Sequence, residues 1–326
     1  KGLTNRMILF TAFLISSLFP LLIVRKVDAV FASNPQVLVI IPAMVYRLVH
    51  RCPVVLNVDD LWPEYLDAGA EKVSFVRKVA GIMAKIAYTM ADAITPISPG
   101  YVKVICSNYG VSEGKVHVVR GGVDASRFKP ASNKDDEKFT VLYSGAFSVA
   151  YDFNQVIRAA KLLERHEDIE IVLQGAGELM DNVKRSVREM DVKNVRIIDK
   201  VLSREKVAEL LSQADALLLP LKDFGRPYLG ISSKLYEYQA VGKPIICVAE
   251  GQPAEHVKET GSGIVVKPGD YNMLAEAIMH LKENRQIAEK LGVSGRRYVE
   301  TNLSIEKIGS KMVKIFGQAL QAHITQ

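Results

Sequence analysis

The chain has 326 residues, with 42 Lys and Arg against 36 Asp and Glu and a formal net charge of +6. That length suits two open α/β domains, each burying its own core, and the mild basic excess fits an anionic substrate or a lipid surface without reaching a nucleic-acid signature, so no nucleic-acid partner is expected. The three cysteines, Cys52, Cys106 and Cys247, are too widely spaced for a zinc or disulfide framework, which points to a reducing compartment, and the six histidines lack metal-ligand spacing, so no structural metal is expected.

In chain order, residues 7–24 (MILFTAFLISSLFPLLIV) come first, an apolar run long enough to reach across a ~30 Å hydrocarbon layer. Thr11, Ser16, Ser17 and Pro20 interrupt it and Arg25-Lys26 close it, so a buried or interfacial helix is expected ahead of a membrane-docking surface, and both ahead of a span. Strand-like runs follow at 28–33 (DAVFAS), 54–58 (VVLNV), 93–98 (AITPIS) and 115–119 (KVHVV). Between them, 74–91 reads as a helix with Phe75, Val79, Ile82, Met83, Ile86 and Met90 on one stripe, expected to face the core rather than a membrane. The polar stretch 129–138 (KPASNKDDEK) is the expected linker.

Beyond it, strands are expected at 139–145, 169–177, 194–200, 215–221, 244–249 and 263–268, each followed by helical periodicity. That alternation predicts a complete doubly wound parallel sheet. Fewer strands precede the linker than such a domain needs. At roughly 30 residues per βαβ unit, about two units are expected ahead of Lys1, making the N-terminal domain incomplete. The boundaries expected are 1–130, 131–304, and a last helix over 305–326.

Open α/β domains hold ligands at the carboxyl ends of their strands. Gly175-Ala176-Gly177 follows the strand IEIVLQ as a turn that lets backbone approach a ligand, or as a plain strand-to-helix turn. More specific is the stretch ISSKLYEYQAVGKPII, 231–246. Gly230, Ile231, Ser232 and Ser233 would open a helix whose free N–H groups attract phosphate, and Lys234 in the first turn adds a cation that the helix dipole disfavours unless an anion is present. Arg226, in a Gly/Pro-bearing loop eight residues earlier, could supply a second cation. Glu237 lies one turn past Lys234, where a carboxylate can accept two ribose hydroxyls; a solvated Lys234–Glu237 pair is the equal alternative.

Several motifs, in order, carry a resemblance: DLWPE at 60–64, GVDASRFKP at 122–130, YSG at 143–145, VIRAAKLL at 156–163, QGAGEL at 174–179, and SKLYEYQAVGKPII through GQPAEHV and GSGIVVKPGD over 233–270. The chain resembles the GT-B glycosyltransferases of family 4, the group 1 glycosyl transferase domain, and looks most like the branch that builds cell-surface polysaccharides such as lipopolysaccharide. The resemblance implies an α/β fold of two Rossmann-like domains facing a cleft, with a C-terminal helix crossing back to the first. It implies transfer of a sugar from a nucleoside-diphosphate sugar, with retention and without a bound metal or other cofactor. A UDP-sugar is favoured, with a glycan or polyprenyl-linked acceptor, at the cytoplasmic face of the cell membrane.

Carried over residue by residue, Glu237 matches the second glutamate of the family's E-x7-E motif, which implies ribose binding. Gly230 to Ser233 match the diphosphate segment, Gly175 and Gly177 the glycine turn under the nucleotide, and Val201 and Leu202 the segment beside the base. Leu229 stands where the first glutamate belongs. Ala146 and Tyr151 stand where the family carries two diphosphate-binding cations, leaving Lys234 and Arg226 as the nearest replacements. Asp59 and Asp60 occupy the family's HD pair, and Asp60 with Trp62 suits an acceptor sugar. Catalysis is therefore expected of Asp59, Asp60, Lys234 and Arg226. Two alternatives stay open, a nucleotide-sugar epimerase of the same fold and a non-catalytic nucleotide-sugar-binding subunit.

Overall fold

The structure is a computed structural model that describes residues 3–24, 27–34, 40–64, 71–131 and 138–324. The chain divides into two compact units, the first made of Lys1–Arg120 with Ile308–Gln326 and the second of Gly121–Lys307.

The first unit runs α1 (Leu3–Leu18), β1 (Val30–Ser33), α2 (Ile40–His50), β2 (Val54–Val58), α3 (Glu71–Met90), β3 (Ala93–Pro96) and α4 (Pro99–Tyr109). Its three strands are parallel in the order β1-β2-β3. Val54, Val55, Leu56 and Val58 of the central strand are all buried, as the apolar residues of a central parallel strand should be.

In the second unit come β4 (Phe139–Ala146), α5 (Phe153–Leu162), β5 (Ile169–Ala176), α6 (Met180–Glu189), β6 (Val195–Asp199), α7 (Arg204–Gln213), β7 (Ala216–Pro220), α8 (Lys234–Ala240), β8 (Ile245–Val248), α9 (Gln252–Thr260), β9 (Gly263–Val266), α10 (Tyr271–Glu283) and α11 (Arg285–Asn302). The six strands are parallel in the order β6-β5-β4-β7-β8-β9, the doubly wound order. Side-chain caps fix the helix starts: Asp152 accepts from the Asn154 amide at 2.9 Å, and Asp270 from that of Met273 at 2.9 Å. The core is the apolar inner face of β4, β5 and β7 with Val156, Ile157 and Ala160 of α5 and Leu274, Ile278 and Leu281 of α10.

Helix α12 (Ile305–Ile324) ends the chain and packs in the first unit, with Ile315 and Ala319 against Val55, Ala93 and Val119. Lys311 donates to the Val118 carbonyl at 2.6 Å, and a ring nitrogen of His323 lies 2.9 Å from that of Arg51.

The structure moves several expectations. Segment 121–128 belongs to the second unit rather than the first: the Val123 amide donates to Leu303 O at 2.9 Å, Val123 pairs with Ser304, and Phe128 is fully buried. The division falls at 120/121 because these contacts outweigh the polar composition that placed it at 130; most of the expected linker, 132–137, lies outside the described residues. Residues 115–119 form no strand, only a bridge from Val116 to Ile94 and backbone bonds from His117 and Val119 to β3.

The stripe on α3 is not core. Of its described side chains, Val79, Ile82 and Ile86 are exposed and Met83 and Met90 half-buried, that of Phe75 lying outside the described residues, and the helix packs through Tyr88 and the small Ala80, Ala84 and Ala87, which bring its backbone close. Nor is any described side chain of the 7–24 run buried. Ile8, Leu9, Ile15, Phe19 and Ile23 are all more than 60% exposed, on α1 and the 3₁₀ turn Phe19–Leu22 that Pro20 opens. No helix among the described residues is long and apolar enough to cross a membrane.

Candidate functional site

In the second sheet β4 and β7 are neighbours whose chains continue to opposite sides, β4 to β5 and β7 to β8. The loops leaving their carboxyl ends diverge and open a crevice between them. Four of the motifs read from the sequence end there: Gly145-Ala146 closing β4, Gly175-Ala176-Gly177 at the end of β5, the loop 221–233 after β7, and α8.

Lys234 opens α8. Its ammonium lies 5.7 Å from the centre of the Tyr143 ring and fills the space that a side chain at Gly145 would take. Among the described residues no hydrogen bond or ion pair holds it. Burial pushes its pKa below the ordinary lysine value; the Glu237 charge works against that shift and the Arg204 charge with it. Tyr151 walls the same space. Its hydroxyl hydrogen-bonds Ser232 and Tyr143, and burial raises its pKa.

Gly175 and Gly177 are held at φ +143° and +156°, and a Cβ on either would overlap backbone, that of Gly145 and that of Phe147. Packing of one strand exit on another is what demands glycine at both positions. A buried polar chain ties these exits together. The Tyr238 hydroxyl meets the Ser144 amide at 3.4 Å, Ser144 donates to Gln174 Oε1 at 2.6 Å, and Gln174 Nε2 donates to the Lys200 carbonyl at 2.6 Å. Lys200 leads directly into Val201, which is 80% exposed, and the half-buried Leu202.

Helix α8 is shorter than the quoted stretch suggested. It starts at Lys234, after a turn in which the Leu235 amide bonds Ser232 O and those of Tyr236 and Glu237 bond Ser233 O, and it ends before Gly242 at φ +68°. Glu237 is one turn on, its side chain 17% exposed, and accepts from Arg204 at 2.8 Å. The alternative, a Lys234–Glu237 ion pair, is not formed. Behind α8, Gln239 bonds Ser262 and Thr260 at 3.0 Å each and lies 3.1 Å from His256, a buried network that fixes the helix on its far side.

In the first unit, Asp59 follows β2. Its carboxylate accepts from Ser33 at 2.5 Å and from Asn57 Nδ2 at 2.9 Å, so the side chain is fixed by β1 and β2 themselves. Asp60 is exposed overall, but protein packed around its carboxyl and the adjacent Asp59 charge raise its pKa. Trp62 is half-buried, with its indole N–H enclosed and without a partner among the described residues. Among the described residues no group of three or more His, Cys, Asp or Glu could hold a metal ion.

The family profile of the glycosyl transferases group 1 matches residues 124–298, more than half of the chain. The chain belongs to the group 1 glycosyl transferases. A second profile, glycosyltransferase family 4, covers residues 2–127. Among curated relatives of this group 1 glycosyl transferase, an MMP alpha-(1->4)-mannosyltransferase of Mycolicibacterium hassiacum is 23% identical over 72% of the chain and 56% of that protein. The capsular polysaccharide biosynthesis glycosyltransferase CapM of Staphylococcus aureus is 23% identical over 74% of the chain and 65% of its own length. The chain thus spans less than two thirds of either. The fold is GT-B. Sucrose-phosphate synthase of Thermosynechococcus elongatus superposes with a TM-score of 0.74 at 19% identity, covering 90% of this chain and 74% of that one. Anabaena HepE in complex with UDP does so at 0.73 and 16%, covering 95% and 82%.

In this group 1 glycosyl transferase the structure gathers Lys234, Glu237, Ser232, Gly175 and Gly177 at one sheet edge, and leaves Arg226 apart. Arg226 is exposed in the 222–227 loop, without a described contact to Lys234. Two residues that sequence reasoning passed over are there instead. Tyr151 had been noted only as a missing cation, and Arg204, 33 residues before Glu237, carried no local signal beyond the Ser203 cap that starts α7.

Proposed function

We propose that the protein is a retaining, metal-independent glycosyltransferase of the hexosyl or N-acetylhexosaminyl type, which takes a sugar from a nucleoside diphosphate and delivers it to a glycan or polyprenyl-linked acceptor in cell-surface polysaccharide synthesis. The observation that carries this reading is Lys234. A desolvated ammonium with no carboxylate in ion-pair contact is unfavourable in a folded protein unless an anion completes it, and this one stands at the switch point of a nucleotide-type sheet.

The diphosphate would lie against Lys234, the Ser232 and Tyr151 hydroxyls, and the Gly230 to Ser233 turn, with Glu237 taking the ribose and Val201 and Leu202 the base. A uridine nucleotide is the favoured donor. As the bond from the sugar to the diphosphate breaks, its electron pair leaves on phosphate, and the fixed Lys234 charge stabilises that growing anion without reorganising. The acceptor oxygen bonds to the same face of the sugar and gives its proton to an oxygen of the departing diphosphate. On the acceptor side, Asp59, Asp60 and Trp62 are the residues assigned. The exposed apolar residues of α1 support a peripheral lipid contact at the cytoplasmic face, as a polyprenyl-linked acceptor requires.

The test is thermal shift and calorimetry of the intact protein with UDP-, GDP-, ADP- and CDP-sugars, beside Lys234→Ala and Glu237→Ala. One nucleotide series is expected to raise Tm, and both substitutions to remove the shift. Absence of any shift across the panel would overturn the assignment. Leu229, in place of a donor-sugar contact, favours the non-catalytic binding subunit as the second reading; donor binding with no nucleoside diphosphate released in the presence of acceptor would establish it.

A further inference from the structure

Arg204 has no part in the scheme above, yet it touches the residue assigned to the ribose. It is the first residue of α7, held by the Ser203 cap, whose hydroxyl accepts from the Lys206 amide at 3.3 Å. Its guanidinium sits 4.8 Å from the centre of the Phe128 ring and donates to Glu237 Oε1 at 2.8 Å. Phe128 is itself fully buried, with its carbonyl accepting from Arg296 at 2.7 Å. The guanidinium is thus fixed between an aromatic face and a carboxylate. Glu237 Oε2 has no partner among the described residues.

The arrangement solves a problem the sequence creates. A lysine and a glutamate three apart on a helix pair with each other by default. Such a pair would neutralise the ammonium and occupy the carboxylate together. With Arg204 on Oε1, Glu237 is satisfied from outside the helix and Lys234 stays unpaired.

We propose that Arg204 is a positioning residue of the nucleotide site: it pins the Glu237 carboxylate so that Oε2 faces the ribose hydroxyls. This rests on the nucleotide reading of the site given above.

Calorimetry with UDP and GDP, and with their 2′,3′-dideoxy counterparts, on the intact wild type, Arg204→Gln, Glu237→Gln and the double variant tests it. For whichever ribonucleotide binds, Arg204→Gln is expected to weaken binding about tenfold, the weight of one hydrogen bond to a charged group. For the dideoxy nucleotide, which offers Glu237 nothing, the loss should all but vanish. The double variant should bind no more weakly than Glu237→Gln alone, since both changes remove one interaction. Equal losses with ribo- and dideoxy nucleotides, additive losses in the double variant, or no loss at all would each overturn the positioning role while the nucleotide site stands. If neither UDP nor GDP binds the wild type, the site reading fails first and takes this one with it.

Discussion

Lys234 sets stability against binding. Its ammonium is desolvated in the ligand-free fold, so the folded form holds its proton less tightly than the unfolded chain does. The unfolded chain then binds more protons between the lowered pKa and the ordinary lysine value, and stability rises with pH across that window. Lys234→Met, which keeps length and removes charge, should raise Tm by about 2–4 °C near neutral pH. It should also flatten this alkaline rise and abolish nucleotide binding. In the wild type, nucleotide affinity should fall as pH increases through the lowered pKa, because the diphosphate loses its counter-charge. Melting curves and calorimetry from about pH 7 to about pH 10 read both effects. A Met variant that melts lower than wild type would mean that the ammonium is paired by something other than an incoming ligand.

At the scale of elements, the sequence announced strands far better than surfaces. Five of the six strands of the second unit fall within the run expected for them and β4 overruns its own only by Ala146, because buried parallel strands are continuous apolar runs closed by Gly, Pro or Asp. Helix faces are harder to read. The stripe on α3 has the right period for a core helix, and periodicity cannot tell that the sheet prefers the alanine face behind it. Arg204 was out of reach for a related reason, since its role exists only once α7 and α8 lie side by side. The 7–24 run shows the reverse case, apolar sequence that folding leaves outside. Ile15 and Phe19 with Val45 and Val49 of α2 line an apolar groove of about 490 Å³. We expect the intact protein to sediment with vesicles containing anionic phospholipid, and Ile15→Asp with Leu48→Asp, both at exposed positions, to stay in the supernatant with Tm unchanged. Recovery of the wild type in the supernatant at low salt would refute the lipid contact.

For the molecule as a whole, every residue assigned here to the nucleotide lies within Gly121–Lys307, which has its own six-stranded sheet and its own core. Residues 121–307 expressed alone should therefore unfold in one cooperative transition and show the nucleotide-dependent rise in Tm, without transferase activity. A fragment that folds but binds no nucleotide would show that the first unit supplies part of the donor site. The chain passes between its units twice, at 120/121 and at 307/308, and the flanking segments are hydrogen-bonded side by side through Val123 and Leu303. The molecule is thus held by two neighbouring tethers. A protease cutting one of them leaves the other covalently intact, so the nick goes unnoticed by any method that weighs the native particle and shows as two pieces only after denaturation.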